Sequence, residues 1–312
     1  MSATIQTVLG PVPEDSLGVT MTHEHLYLAP VTFRQDTRVV LNEPDIICQE
    51  LKEYKELGGV SMVEVTPIEL GRDPQILQDI SRQTNLHVVM GTAFYTDVSY
   101  PDYVRQATAE EIGDLFLREL TAGVAETGIR AGVIGEVGTS GGEIRPDEVK
   151  VFQGAVLAHN ETGAPIFTHT YWGQLGLEQV ALLQKAGADM SRVVIGHLDS
   201  KLDLDYHQAI ADSGAYVAYD CVGKSHFDPE FGQGFPPDAE RASHIIAMVE
   251  AGYGSQIVLS SDICKTNYLR CNGGFGFGHL LREFVPMLRE CGMDEETLHT
   301  ILVENPRRIL AY

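Results

Sequence analysis

Short apolar, β-branched runs alternate along the chain with longer stretches whose apolar positions recur at the helical period. The short runs are GVTMTHEH (18–25), GVSMVEVT (59–66), LHVVMGTAF (86–94), AGVIGEVG (131–138), APIFTHT (164–170), SRVVIGHLD (191–199), GAYVAYD (214–220) and SQIVLSSD (255–262). Each reads as a buried strand. The helical stretches include 43–58, with Asn42 as its expected cap and Gly58 as its end, and 147–163, ending at Gly163. Others cover 203–214, 239–254, 279–292 and 294–310.

Eight strands alternating with helices over a chain of this length predict a (β/α)₈ barrel, an α/β fold of the TIM type. The whole chain, 1–312, reads as one barrel domain, with 1–17 as a lead-in packed on the barrel. The remaining length falls in loops after the first, third, seventh and eighth strands. The last of these, ICKTNYLRCNGGFGFG (263–278), reads as a mobile substrate loop.

Composition narrows the function. A formal charge of −22, with no Lys/Arg-rich run, argues against nucleic acid as a partner. No apolar stretch has the length of a membrane span, and no secretory leader is visible. Five cysteines without C-x-x-C spacing read as reduced thiols, and a cytoplasmic location is the expectation. The partner expected is a small-molecule substrate.

The chemistry gathers at the C-terminal ends of the strands, where barrel enzymes carry their sites. The first strand ends in His23 and His25, the fourth in Glu136, the fifth in His169, the sixth in His197 and the eighth in Asp262. Residues i and i+2 of a strand share a face, so His23 and His25 can face one ion. Each signal alone has a plain structural reading: a hydrogen-bonded H-x-H pair, a core ion pair for Glu136, a helix cap for Asp262. Six ligand-type residues on five strand ends favour metal. Imidazole and carboxylate suit two divalent cations with one carboxylate between them, holding a hydroxide nucleophile. Zn²⁺ is the expected metal, with Mn²⁺, Co²⁺ and Fe²⁺ also accepted by such donors.

GVTMTHEHL, GEVGTS, FTHT, IGHLD, LSSD and ILVENPRRIL, in this order, resemble the phosphotriesterase family of the amidohydrolase superfamily. The resemblance implies a distorted (β/α)₈ barrel with a binuclear metal centre. His23, His25 and Asp262 would bind the more buried metal and His169 and His197 the more exposed one. Many members bridge the pair with a carboxylated lysine. Glu136 stands there in this chain, as in the glutamate-bridged branch that includes the bacterial phosphotriesterase homology proteins. The expected reaction is cleavage of a lactone or carboxylic ester by the bridging hydroxide, with Asp262 as the catalytic proton acceptor. The alternatives are amide hydrolysis of a small N-acyl compound, phosphotriester cleavage, and a non-catalytic binding barrel. A homodimer is implied.

Three residues are candidates for substrate contact. Tyr95 follows the third strand, and its match in lactonase relatives lies near the reacting centre. Trp172, the only tryptophan, lies three residues after His169. Lys224 follows the seventh strand and suits an anionic substrate group. Their structural readings are rim packing, core packing and a solvated lysine. Cys221 and Cys264 read as packing, and His87, His159 and His244 are left outside the site.

Overall fold

Each of the eight apolar runs forms a strand, and each is apolar because both of its faces are covered. The computed structural model describes residues 3–29, 40–228 and 232–312, so part of the expected long loop after the first barrel strand lies outside the described residues. The chain opens with a hairpin of β1 (Thr4–Thr7) and β2 (Gly10–Pro13). The barrel strands are β3 (Val19–Glu24), β4 (Gly59–Glu64), β5 (His87–Thr92), β6 (Val133–Gly138), β7 (Ile166–His169), β8 (Val193–Ile195) and β9 (Tyr216–Tyr219). After a small hairpin of β10 (Phe227–Asp228) and β11 (Gln233–Gly234), β12 (Ile257–Leu259) completes the set.

The sheet order is β3-β4-β5-β6-β7-β8-β9-β12, and every neighbouring pair is parallel. The side-chain period of two sorts the residues. Val63, Val89, Val133, Phe167, Val194, Ala218 and Val258 join one buried cluster. Their neighbours Met62, Val88, Ile134, Ile166, Val193, Val217 and Ile257 join the second, larger cluster, which includes the buried faces of the helices. Ile5 and Leu17 from the lead-in, and Ile309, Leu310 and Ala311 from the chain end, pack into the first cluster. Val8 N–H bonds Val88 C=O at 2.9 Å and holds the hairpin against β5.

The barrel is distorted, as expected of its kind. Register shifts interrupt β3/β4 and β6/β7. β12 and β3 share no ladder; one backbone bond crosses between them, from Asp262 N to His23 O at 3.2 Å, and side chains complete the closure. Ser260 Oγ accepts from His23 N at 2.9 Å and donates to Glu24 Oε1 at 2.7 Å. Glu24 also accepts from Ser261 N at 2.8 Å and Ile263 N at 3.0 Å.

Outside the strands run α1 (Pro44–Glu56), α2 (Pro74–Thr84), α3 (Asp102–Gln106), α4 (Ala109–Thr121), α5 (Pro146–Thr162), α6 (Gly176–Ala186), α7 (Leu204–Asp212) and α8 (Asp238–Glu250). Helical segments Leu280–Phe284 with Val285–Glu290, and Glu295–His299 with Thr300–Glu304 and Asn305–Leu310, end the chain. One expectation is corrected: α1 is capped at Glu43, without a side-chain bond, and not at Asn42. Pro44 starts that helix because its fixed φ suits the first turn. The helical stretches read from the sequence leave out α2, α3, α4 and α6. Two of them carry legible starts: Asp73 caps Gln75 N at 2.9 Å and Ile76 N at 3.1 Å, and Thr108 with Glu111 makes a capping box.

Candidate metal centre

The six expected side chains converge at one mouth of the barrel. His23 lies in β3 and His25 one residue beyond it, Glu136 in β6, His169 at the end of β7, and His197 and Asp262 just past β8 and β12. His197 and Asp262 have left-handed backbones, with φ of 56° and 45°. Non-glycine residues enter that region at a cost of roughly 1–3 kcal/mol, and such strain gathers at functional sites. The residue before His197 is Gly196, where a Cβ would stand 2.2 Å from Thr168 O and 3.3 Å from Asp220 Oδ2.

Glu136 is the hub. His169 Nδ1 lies 3.1 Å from its Oε2, His197 Nε2 at 3.5 Å and His23 Nε2 at 3.6 Å, while His25 Nε2 lies 3.6 Å from Oε1. Asp262 Oδ1 stands 3.2 Å from His25 Nε2 and 4.0 Å from His23 Nε2.

The other nitrogen of each ring is already engaged. His23 Nδ1 lies 3.3 Å from Asp220 Oδ2 and His197 Nδ1 3.0 Å from Asp220 Oδ1. His25 Nδ1 bonds Thr66 Oγ1 at 2.8 Å, and Thr66 donates in turn to Glu64. His169 Nε2 meets the Tyr95 hydroxyl at 3.3 Å. Outer partners of this kind fix the tautomer and orientation of metal-binding histidines.

The donor set fits divalent cations. His23 Nε2 is buried with no hydrogen-bond partner, which suits an atom that ligates a cation. His23, His25 and Glu136 form one group whose donor atoms lie close enough to share an ion, and Glu136, His169 and His197 form another. Glu136 is common to both, so one carboxylate can serve two cations.

The electrostatics keep the carboxylates ionised. Burial would raise the Glu136 carboxyl, but bonds from His169 and His197 hold it far below its usual range. Burial likewise opposes ionisation of Asp262, which Lys224 and His25 reverse, leaving it well below normal. His169 is pushed down to about 4, chiefly by burial, and so carries a free lone pair at neutral pH. Asp220 is held far below its usual range against burial by His197 and His23.

All three candidate contact residues line one cavity of about 370 Å³ beside His169, His197 and Asp262. Tyr95 is anchored by Glu69 Oε1, which accepts from its backbone N at 2.8 Å. Trp172 packs against Phe235 with ring centroids 4.5 Å apart and planes tilted by 34°. Lys224 is not a solvated surface lysine. It is 2% exposed, pairs with Asp262 Oδ2, and sits 5.6 Å and 5.3 Å from the ring centroids of Phe235 and Tyr268. The loop 263–278 contributes Cys264, Lys265 and Tyr268 to the cavity and is packed down by buried Ile263, Leu269 and Phe277.

The structure adds residues that the sequence reading did not single out. Asp220, Glu64 and Glu24 are fully buried carboxylates at the ends of barrel strands. Their signal was present: each is an acid closing an apolar run, where burial demands a partner. Cys221, read as packing, lies 3.8 Å from both His197 Nδ1 and Ser200 Oγ, and burial pushes its thiol up to about 12. His159 and His244 bond elsewhere, to Ala164 O and the Tyr219 hydroxyl, and take no part.

A model of the phosphotriesterase family matches residues 3–310. The phosphotriesterase homology protein of Escherichia coli (strain K12) is 38% identical over 292 residues, covering 94% of this chain and 97% of that protein. Its crystal structure, complexed with phosphate in the active site, aligns with a TM-score of 0.89 over 95% of this chain and 99% of its own. An N-acetyltaurine hydrolase of Salmo salar is 32% identical, covering 100% of this chain and 99% of that protein. A lactonase from Listeria monocytogenes aligns with a TM-score of 0.90 at 25% identity, over 99% of each chain.

Proposed function

The chain belongs to the phosphotriesterase family, and from that premise we propose that it is a two-metal hydrolase that cleaves a lactone or carboxylic ester of a small molecule bearing an anionic group. The observation that carries this reading is the set of four histidines, each with one nitrogen held from behind and the other turned to Glu136. His23, His25 and Asp262 would hold one cation and His169 and His197 the other, with Glu136 shared. When bound, such cations act as Lewis acids and bring the pKa of water toward ~7. Zn²⁺ is the first choice, with Mn²⁺, Co²⁺ and Fe²⁺ next.

The protein's own groups supply the rest. Asp262 accepts the proton of the attacking water and returns it to the leaving oxygen. Lys224 keeps that carboxylate ionised. Trp172 and Phe235 wall the cavity with apolar surface that excludes bulk water. Cationic side chains line the cavity at Arg145, Lys224 and Lys265. Arg145 pairs with Asp97 at 2.7 Å and Lys224 with Asp262, so an anionic substrate group would compete with these carboxylates to be bound.

A second reading, amide hydrolysis of a small N-acyl acid, is favoured by the relatives named for N-acetyltaurine. Phosphotriester cleavage is kept as a side activity. The reading also takes residues 1–312 as one domain and the protein as a cytoplasmic homodimer. Acid release from metal-loaded protein, measured against lactones, esters, N-acyl amino sulfonates and carboxylates, and aryl phosphotriesters, separates these substrates. A lactone or ester hit that His23→Ala abolishes supports the first reading. Release confined to N-acyl acids replaces it with the second. No release from protein that also holds less than one metal equivalent would point to a non-catalytic barrel.

A further inference from the structure

Two of the four histidines at the metal centre have an outer partner of their own, and the other two share Asp220. It closes β9 and is fully buried. Its Oδ2 lies 3.3 Å from His23 Nδ1, and its Oδ1 lies 3.0 Å from His197 Nδ1. Both oxygens also accept from the backbone N of His197, at 2.9 Å and 3.1 Å. The two rings stand 4.6 Å apart, centroid to centroid. By contrast, Thr66 bonds only His25 of the four rings and Tyr95 only His169.

We infer that Asp220 is a positioning residue that couples the two cation sites, because one carboxylate orients one histidine of each. The inference rests on the two-cation reading above. His23 belongs to one proposed site and His197 to the other, so a displaced or uncharged Asp220 releases a ring from both at once. The backbone bonds sharpen the effect at His197. Its left-handed turn is held by Asp220, and Gly196 before it passes so close to Thr168 O that a Cβ would stand 2.2 Å away. Loss of Thr66 or Tyr95 frees one ring and leaves the other site as it was.

Metal titration of the metal-free protein tests this, with Zn²⁺ competed against a chromophoric chelator so that both dissociation constants are read. Removing an outer partner of a metal-binding histidine weakens binding by about 10–100-fold. Asp220→Asn is expected to raise both constants by that factor, whereas Thr66→Val and Tyr95→Phe each raise one. Asp220→Ser, which opens space where Asn inserts an amide, is the second variant and is expected to behave likewise. The melting temperature of each metal-free variant shows that it is folded before titration. Wild-type protein that binds two Zn²⁺, with Asp220→Asn and Asp220→Ser weakening one site or neither, overturns the coupling alone. Wild-type protein that binds fewer than two overturns the two-cation reading beneath it.

Discussion

Lys224 and Asp262 form a buried ion pair at the heart of the cavity, with the two side chains 2% and 10% exposed. Taking either charge out of water is unfavourable, and each makes the other tolerable. Lys224 is accordingly raised well above the usual lysine range by Asp262 although burial opposes it. Removing one partner from such a pair destabilises by roughly 3–5 kcal/mol, because the survivor is left uncompensated. Lys224→Met in the metal-free protein is therefore expected to lose about that much stability in urea unfolding at pH 7. The double variant Lys224→Met/Asp262→Asn should recover most of it. Additive losses in the double variant would show that the pair is not the source.

The sequence exposed the ligands but not their supports, and the reason lies in how each is recognised. His23, His25, His169 and His197 are rare residues at strand ends, so their position alone is informative. Asp220, Glu64 and Glu24 are acids in an acid-rich chain, and only the folded barrel shows whose nitrogen or backbone they meet. Lys224 in isolation suited solvent as well as an anionic substrate group; its pairing with Asp262 depends on two loops separated by 38 residues.

At the level of elements, the seam between β3 and β12 is the weak edge of the barrel, and Glu24 bridges it. Its carboxylate accepts from Ser260 Oγ, Ser261 N and Ile263 N, on both sides of Asp262. Glu24→Gln turns one acceptor oxygen into a donor that faces another donor. A cost of roughly 1–3 kcal/mol follows from a buried group left unsatisfied. Urea midpoints should fall accordingly, and an unchanged midpoint would mean that the seam is held by the strands alone.

The α7–β9–α8 layer carries a second, pH-dependent weakness. His207 bonds Leu198 O at 3.1 Å and the Tyr219 hydroxyl at 3.2 Å, and burial, helped by His244, pushes it down to about 4. Its folded value is thus below the unfolded one, near 6.5. The unfolded chain takes up the proton first, so this contribution to stability is complete above pH 6.5 and is lost as pH falls toward 4. The difference amounts to about 3 kcal/mol. His207→Gln should therefore flatten the decline in melting temperature over that window, and an unchanged slope would assign the acid sensitivity to other groups.

Strand existence was legible because both faces of each strand are covered, which makes the runs apolar throughout. The helices α2 and α4 were as legible as those that were read: both are strongly amphipathic, and Asp73-Pro74 and Thr108…Glu111 mark their starts. Asn42 misled because Pro44 already fixes the first turn and leaves no need for a side-chain cap.

At the scale of the molecule, the two proposed cations tie β3, β6, β7, β8 and β12 together at one rim. Binding to the folded state alone adds about 2.7 kcal/mol per site at a free metal concentration one hundred times Kd. Zn²⁺ should therefore raise the melting temperature by several degrees, and EDTA should reverse the gain. The same barrel without His23 and His197 should gain much less, since each proposed site has lost a ligand.

The central claim is that Glu136 stands between two divalent cations. Anomalous diffraction at the zinc edge, from crystals grown with Zn²⁺, tests it most directly. The expected result is two peaks, both within bonding distance of Glu136, one beside His23 and His25 and the other beside His169 and His197. A single peak, or zinc bound away from Glu136, would contradict it.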